Sequence, residues 1–131
     1  DGCRVPIPWN ADAPAYGFSP TGEAWLPQPA EWATLARSAQ ENQPDSTLWL
    51  YRTLLATRRA ENLGAGSLEW IDGYGDDVLA FRVRSDSGAV TVIANAGTGS
   101  VTLPSGTVLV ASEPFEGTEL PADTAVWLSA G

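Results

Sequence analysis

The residues able to do chemistry are few in kind. The chain has no His and one Cys, Cys3, among 131 residues. That removes Ser-His-Asp triads, Cys-His pairs and imidazole metal ligands together, and leaves a structural zinc site without ligands. Sixteen carboxylates remain, and a suitably held pair can run general acid/base chemistry. Asp76-Asp77, however, lies between two β-prone runs, where Asp serves local turn bonding. Glu113, Glu116 and Glu119 flank a loop with no partner identifiable in sequence. Gly73, Gly75, Gly97 and Gly99 imitate a phosphate-binding pattern but no helix follows either cluster. Asp72 to Asp77 lacks the spacing and closing Glu of a calcium loop. No catalytic residue, metal ligand or cofactor is therefore assigned in this chain.

Arg4 and Trp9 are the binding candidates. The chain opens Asp1-Gly-Cys-Arg-Val-Pro-Ile-Pro-Trp-Asn10, where Pro6 and Pro8 remove donors and hold Val5 and Ile7 extended. A stiff loop can aim the Arg4 guanidinium as a fixed fork of donors. A substrate contact and a loop-fixing salt bridge to Asp1 or Asp12 both remain open. Of the six Trp residues, each is first a core or interface filler; Trp9 and Trp25, in loops, are the better stacking platforms. The opening has no initiator Met, basic n-region or apolar h-region, and reads as the middle of a loop in a larger protein.

The elements that position these residues change character near Gly64 to Gly66. Pro6, Pro8, Pro14, Pro20, Pro27 and Pro29 are six of the ten prolines, and a loop this long and aromatic is functional or docked on something else. Pro29 to Ala36 reads as a short helical turn with Pro29 at its first position. Asp45 and Ser46 are cap types before a helix through Arg58, with Leu48, Tyr51, Leu54 and Leu55 at helical spacing. Its other faces carry Trp49, Leu50 and Ala56, so the helix needs more covering protein than its own C-terminal half supplies. After Leu63 the period becomes two: 68–71, 78–83, 90–94, 101–103, 108–111 and 125–128 are short strands bounded by turn residues. That spacing predicts an antiparallel β-sandwich. Leu79, Phe81 and Val83 alternate with Ala80, Arg82 and Arg84, which predicts one buried and one wet face. The expected core includes Leu79, Phe81, Val83, Val90, Val92 and Val108.

Net charge is −9, and all seven basic residues are Arg. Nothing here neutralises a row of phosphates, which argues against nucleic acid. No run approaches the about 20 apolar residues of a membrane helix. The lone Cys gives no sign of an oxidising compartment, and composition fits a GC-rich bacterial coding bias.

Asp1 to Trp9 resembles the Arg-Asp-x-x-Arg-Thr-Pro-Met-Gln-Trp segment of the α-glucosidases and oligo-1,6-glucosidases of glycoside hydrolase family 13, in the α-amylase clan. Gly17-Phe-Ser is similar to that family's following Gly-Phe, and Trp25-Leu-Pro to its Pro-Trp-Leu-Pro. Glu41 to Arg58 resembles its Asp-Pro-Asp-Ser-x-Leu-x-x-Tyr-Arg-x-Leu-x-x-Leu-Arg helix. The likeness is specific up to Arg59 and generic beyond.

The resemblance implies that residues 1–63 are the end of a (β/α)8 catalytic barrel: the loop after strand eight and the final helix. Residues 64–131 would be a C-terminal antiparallel β domain. The family's nucleophile Asp, acid/base Glu and third Asp come from strands four, five and seven, all upstream. Asp1, Arg4 and Trp9 are then substrate-binding residues at the rim, where barrel active sites lie. Val5, Ile7 and Pro8 stand where the family usually has Thr, Met and Gln, which removes a polar contact. The implied whole is a retaining α-glucosidase acting on short oligosaccharides or disaccharides, and this chain alone is expected to be inactive. Its partners would be the upstream barrel portion, on the same or a separate chain, and the oligosaccharide. The expected location is cytoplasmic. The alternative is a non-catalytic β-sandwich module that binds carbohydrate or is purely structural.

Overall fold

The structure is a computed structural model that describes residues 4–129. The chain divides into two compact units, Asp1–Arg52 and Thr53–Gly131.

The first unit holds two single-turn helices, α1 (Trp32–Leu35) and α2 (Arg37–Gln40), and the start of α3 (Thr47–Ala60). The turn expected to start at Pro29 does so, because Trp32 N–H donates to Pro29 O at 3.1 Å. It ends at Ala36, which is fully buried and extended at ψ 143°. That break lets α2 begin. Its otherwise orphaned first donors, Arg37 and Ser38 N–H, reach the carbonyls of Pro8 and Trp9, both at 3.0 Å. The start of α3 is fixed twice. Ser46 Oγ accepts from Trp49 N–H at 3.5 Å, the N-cap pattern. The Gln40 side-chain carbonyl accepts from Leu48 N–H at 3.0 Å. Arg58 and Arg59 occupy its last turn, where cations suit the helix dipole. No residue of α3 is buried, although Leu48, Leu54 and Leu55 lie along it. Among the described residues, no helix is long and apolar enough to cross a membrane.

The second unit is built on a five-stranded sheet. Its strands are β1 (Ser67–Trp70), β2 (Val78–Ser85), β3 (Gly88–Asn95), β5 (Thr107–Ala111) and β7 (Thr124–Ser129), in the order β1-β2-β3-β7-β5. Every neighbouring pair is antiparallel, with a bulge between Val108 and Val110 against β7. The short strands β4 (Val101–Thr102) and β6 (Glu119–Leu120) form a separate two-stranded ladder. The ladder is the thin second layer of the sandwich. Leu103 and Leu120 pack from its side onto Ala80, Ile93, Val126 and Leu128 of the large sheet. Full burial of Ile93 and Leu120 stabilises the unit by about 1.5–3 kcal/mol each. Buried Asn95 ties the layers: its Nδ2 lies 2.8, 3.2 and 2.9 Å from the carbonyls of Gly99, Leu120 and Pro121. At Gly66, a Cβ would sit 2.6 Å from Val83 Cγ1 and 2.7 Å from Arg84 O, so only glycine admits this approach of the chain to β2.

The faces differ from the sequence expectation in one respect. Leu79, Phe81 and Val83 do share a face, with Val90, Val92 and Trp127. Among the described residues, that face is closed around Leu63, which packs with buried Val90 and Val92 and with partly buried Phe81, Val83, Leu109 and Trp127. Leu79 is 49% exposed, and Ala80, expected to be wet, is 4% exposed. Val108 is also exposed, at 46%, because it lies in the edge strand β5, beside the bulge. Alternation sets which residues share a face; the covering layer decides which face is dry.

Candidate functional site

The opening loop is held by its backbone. Trp9 and Asn10 N–H both donate to Tyr16 O, at 2.9 and 3.0 Å, closing a compact turn. Ala11 N–H donates to Ser38 Oγ at 3.0 Å, which adds a side-chain tie to the α2 contacts. Inside the turn, Ala15 and Tyr16 adopt left-handed conformations at φ 46° and 52°, followed by Gly17 at φ 85°. Two successive non-glycine residues there store about 1–3 kcal/mol each. The Tyr16 hydroxyl offsets part of this by donating to the carbonyls of Pro29 and Ala30, at 3.1 and 3.2 Å.

This frame presents two concavities. One is an open groove of about 430 Å³ lined by Ile7, Pro8, Trp9, Leu35, Leu48 and Tyr51 among others. The Trp9 and Ile7 side chains remain 54% and 64% exposed. The other, of about 330 Å³, lies between Tyr16 and the Ala24 to Gln28 segment. Gln28 Nε2 is buried there and has no hydrogen-bond partner among the described residues. An unpaired buried donor of this kind costs about 1–3 kcal/mol, so an acceptor from outside this chain would relieve it. Trp25, in the same segment, is 92% exposed.

Beside the groove, the Glu41 carboxylate accepts from Arg37 at 2.6 Å and from Arg52 at 3.0 Å. Arg52 also lies 4.9 Å from the Trp49 ring centre, and Trp49 Nε1 donates to Glu41 O at 3.0 Å. These partly exposed links fix the α2–α3 junction more than they stabilise it.

Of the residues singled out in the sequence, Trp9 lines the groove. Arg4 is exposed and is not among the groove's lining residues. Asp1 lies outside the described residues. Tyr16, Gln40 and Gln28 were not singled out. Tyr16 before Gly17 was the one legible sign, since a left-handed glycine often ends such a turn. Glu119, left without a partner in sequence, accepts from Thr102 Oγ1 at 2.8 Å across the small ladder. Among the described residues, no cluster of three His, Cys, Asp or Glu can hold a metal ion.

No family model matches the chain. It is similar to a probable α-glucosidase of Rhizobium meliloti (strain 1021), 38% identical over 76 residues, covering 57% of this chain and 13% of that protein. It is similar to Maltase A1 of Drosophila melanogaster, 30% identical over 104 residues, 79% of this chain and 18% of that one. Among solved structures, a MutB mutant in complex with the substrate sucrose superposes with a TM-score of 0.81 at 25% identity, over 98% of this chain and 25% of that chain. The α-glucosyl transfer enzyme XgtA matches with a TM-score of 0.74 at 29% identity, over 98% and 25%. The chain thus spans less than a fifth of the curated relatives' length and about a quarter of these structures.

Proposed function

From the premise that this chain is a C-terminal portion of an α-glucosidase-like protein of glycoside hydrolase family 13, we propose that it completes a retaining α-glucosidase acting on short oligosaccharides or disaccharides. The carrying observation is that nearly the whole chain, loop and sheet alike, superposes on about one quarter of the trehalulose synthase MutB, while its sequence matches an α-glucosidase and a maltase. Retention needs two carboxyls about 5–5.5 Å apart across the scissile bond. In this reading they belong to the upstream barrel, and this chain contributes no catalytic carboxylate. Its opening loop forms part of the pocket rim, with Asp1, Arg4 and Trp9 toward the sugar. The Arg4 guanidinium donates to sugar hydroxyls, and the Trp9 face offers an apolar platform. Val5, Ile7 and Pro8 leave that rim less polar than the family motif. Residues 1–63 complete the barrel and 64–131 form the β domain. Neither nucleic acid nor a membrane is a partner, and the enzyme works in the cytoplasm.

Glucosyl transfer is a second reading, favoured by the match to XgtA. Hydrolysis and transfer share the glycosyl-enzyme and differ in the acceptor, water or a second sugar.

The test is turnover of an aryl α-glucoside by the 131-residue chain and by a longer enzyme that contains it. The chain alone should be inactive, and the longer enzyme should release the α-anomer first. Turnover by the isolated chain, or inversion, overturns the reading; a new glucoside instead of glucose selects transfer. In the longer enzyme, Arg4→Ala should lower kcat/KM by at least about tenfold, the loss of one charge-assisted contact, and leave Tm nearly unchanged. A sharp fall in Tm with kcat/KM intact makes Arg4 a structural clamp.

A further inference from the structure

Trp9 is held through its backbone from two directions. On one side the start of α2 takes the chain: Arg37 and Ser38 N–H donate to the carbonyls of Pro8 and Trp9, both at 3.0 Å. On the other side Tyr16 O accepts from Trp9 and Asn10 N–H, at 2.9 and 3.0 Å. Both polar groups of the Trp9 backbone are thereby used. The direction in which its half-exposed indole leaves the loop depends on where Tyr16 O lies. The turn also sits against Trp9 itself, whose Cβ would lie 3.6 Å from a Cβ at Gly17. Tyr16 O reaches this place because the chain runs left-handed through Ala15, Tyr16 and Gly17, at φ 46°, 52° and 85°. Glycine suits that region; Ala15 and Tyr16 do not. Such conformations persist where the surroundings over-determine them. Tyr16 N–H to Ala13 O and Phe18 N–H to Ala15 O, both 3.0 Å, are local bonds that move with the turn. A tie to a separate element comes from the Tyr16 hydroxyl, which reaches the carbonyls of Pro29 and Ala30 at 3.1 and 3.2 Å. Those carbonyls are already fixed by accepting from Trp32 and Ala33 N–H, at 3.1 and 3.2 Å, at the start of α1. The hydroxyl takes their remaining lone pairs. Its removal strands no buried group, because both carbonyls keep their helical bonds and the hydroxyl contacts are exposed. It therefore fixes position at little cost or gain in folding.

We propose that Tyr16 is a positioning residue of the glucosidase site: its hydroxyl latches the left-handed turn to the start of α1 and so sets the Trp9 ring at the pocket rim. This rests on the reading above that Trp9 faces the sugar. Tyr16 itself acts on the substrate only through Trp9. An apolar platform binds substrate and transition state alike, so loosening it raises KM and leaves kcat in place.

The test is Tyr16→Phe, which removes one oxygen, in the longer enzyme that contains this chain. KM for maltose should rise severalfold, kcat should change by less than about twofold, and Tm should stay nearly unchanged. In a Trp9→Ala background the same substitution should have no further effect, because the two residues act as one unit. If Trp9→Ala raises KM and Tyr16→Phe does not, the backbone holds the turn without the latch: the positioning proposal fails and the rim reading survives. Effects that multiply in the double variant show that Tyr16 acts independently of Trp9, which also overturns the proposal. If Trp9→Ala leaves KM unchanged, Trp9 does not contact the sugar and both fail. Fluorotryptophan labelling gives a readout independent of turnover. The fluorine resonance of Trp9, assigned by its absence in Trp9→Phe, should shift or broaden in Tyr16→Phe, while that of Trp127 in β7 stays as it was. An unmoved Trp9 resonance overturns the proposal whatever the kinetics. So does a Tyr16→Phe enzyme that fails to fold or loses Tm with KM intact, since the hydroxyl would then serve folding.

Discussion

The two faces of the five-stranded sheet use similar residues and meet different fates. One carries Ala80, Ile93, Val126 and Leu128 under the small β4–β6 ladder and is dry. The other carries Leu68, Trp70, Leu79, Phe81, Val90 and Val92 and, among the described residues, is covered around Leu63 but open at Leu68, Trp70 and Leu79. Apolar character therefore records where a surface is meant to be covered, and solvent exposure records whether its cover belongs to this chain. The first is written residue by residue; the second depends on what else is folded beside it.

The largest expected effect lies under the ladder. Ile93→Ala should destabilise the folded chain by about 2–5 kcal/mol in urea unfolding, because it empties a fully closed site. Leu79→Ala, from a half-exposed site, should stay within about 1 kcal/mol. Similar losses for both would show that the two faces are equally closed in solution and break the comparison.

Next in size is Asn95→Ala. It leaves the Gly99, Leu120 and Pro121 carbonyls without their shared donor, and burial makes that loss cost about 1–3 kcal/mol. Amide exchange should quicken in β6 and in the 95–99 loop while β1 and β2 stay as they were. Faster exchange at the β1–β2 edge as well would mean that the faces do not open independently. The smallest effect is expected outside the sheet. Glu41→Gln breaks two exposed ion pairs, and its cost should remain below about 1 kcal/mol and shrink further with added salt. A larger, salt-insensitive loss would show that the α2–α3 junction is itself a closed core.

The strands and the long helix were legible because each depends on its own neighbours in sequence. β2 and β3 appear at 78–83 and 90–94 by alternation and extend to Val78–Ser85 and Gly88–Asn95, since pairing outlasts the pattern at a hairpin. Ser46 marked the start of α3 by its residue type. β6 was missed because Glu119–Leu120 is too short to have a period. The left-handed Ala15–Tyr16 pair was missed because nothing about either residue favours that conformation; the bonds from Trp9 and Asn10 to Tyr16 O and from the Tyr16 hydroxyl hold it.

By itself, the sequence determined the element types, the partition of side chains between faces and the family resemblance carried by Asp1 to Arg59. These follow from residue chemistry and from periods of two and 3.6, which act over a few bonds. Only the tertiary structure decided that Ala80 is dry and Leu79 wet, that Gln28 Nε2 finds no acceptor among the described residues, and that Trp9 rather than Arg4 lines the groove. Each of those depends on atoms brought close from distant parts of the chain. Burial is a property of the neighbours that arrive, not of the residue that is buried.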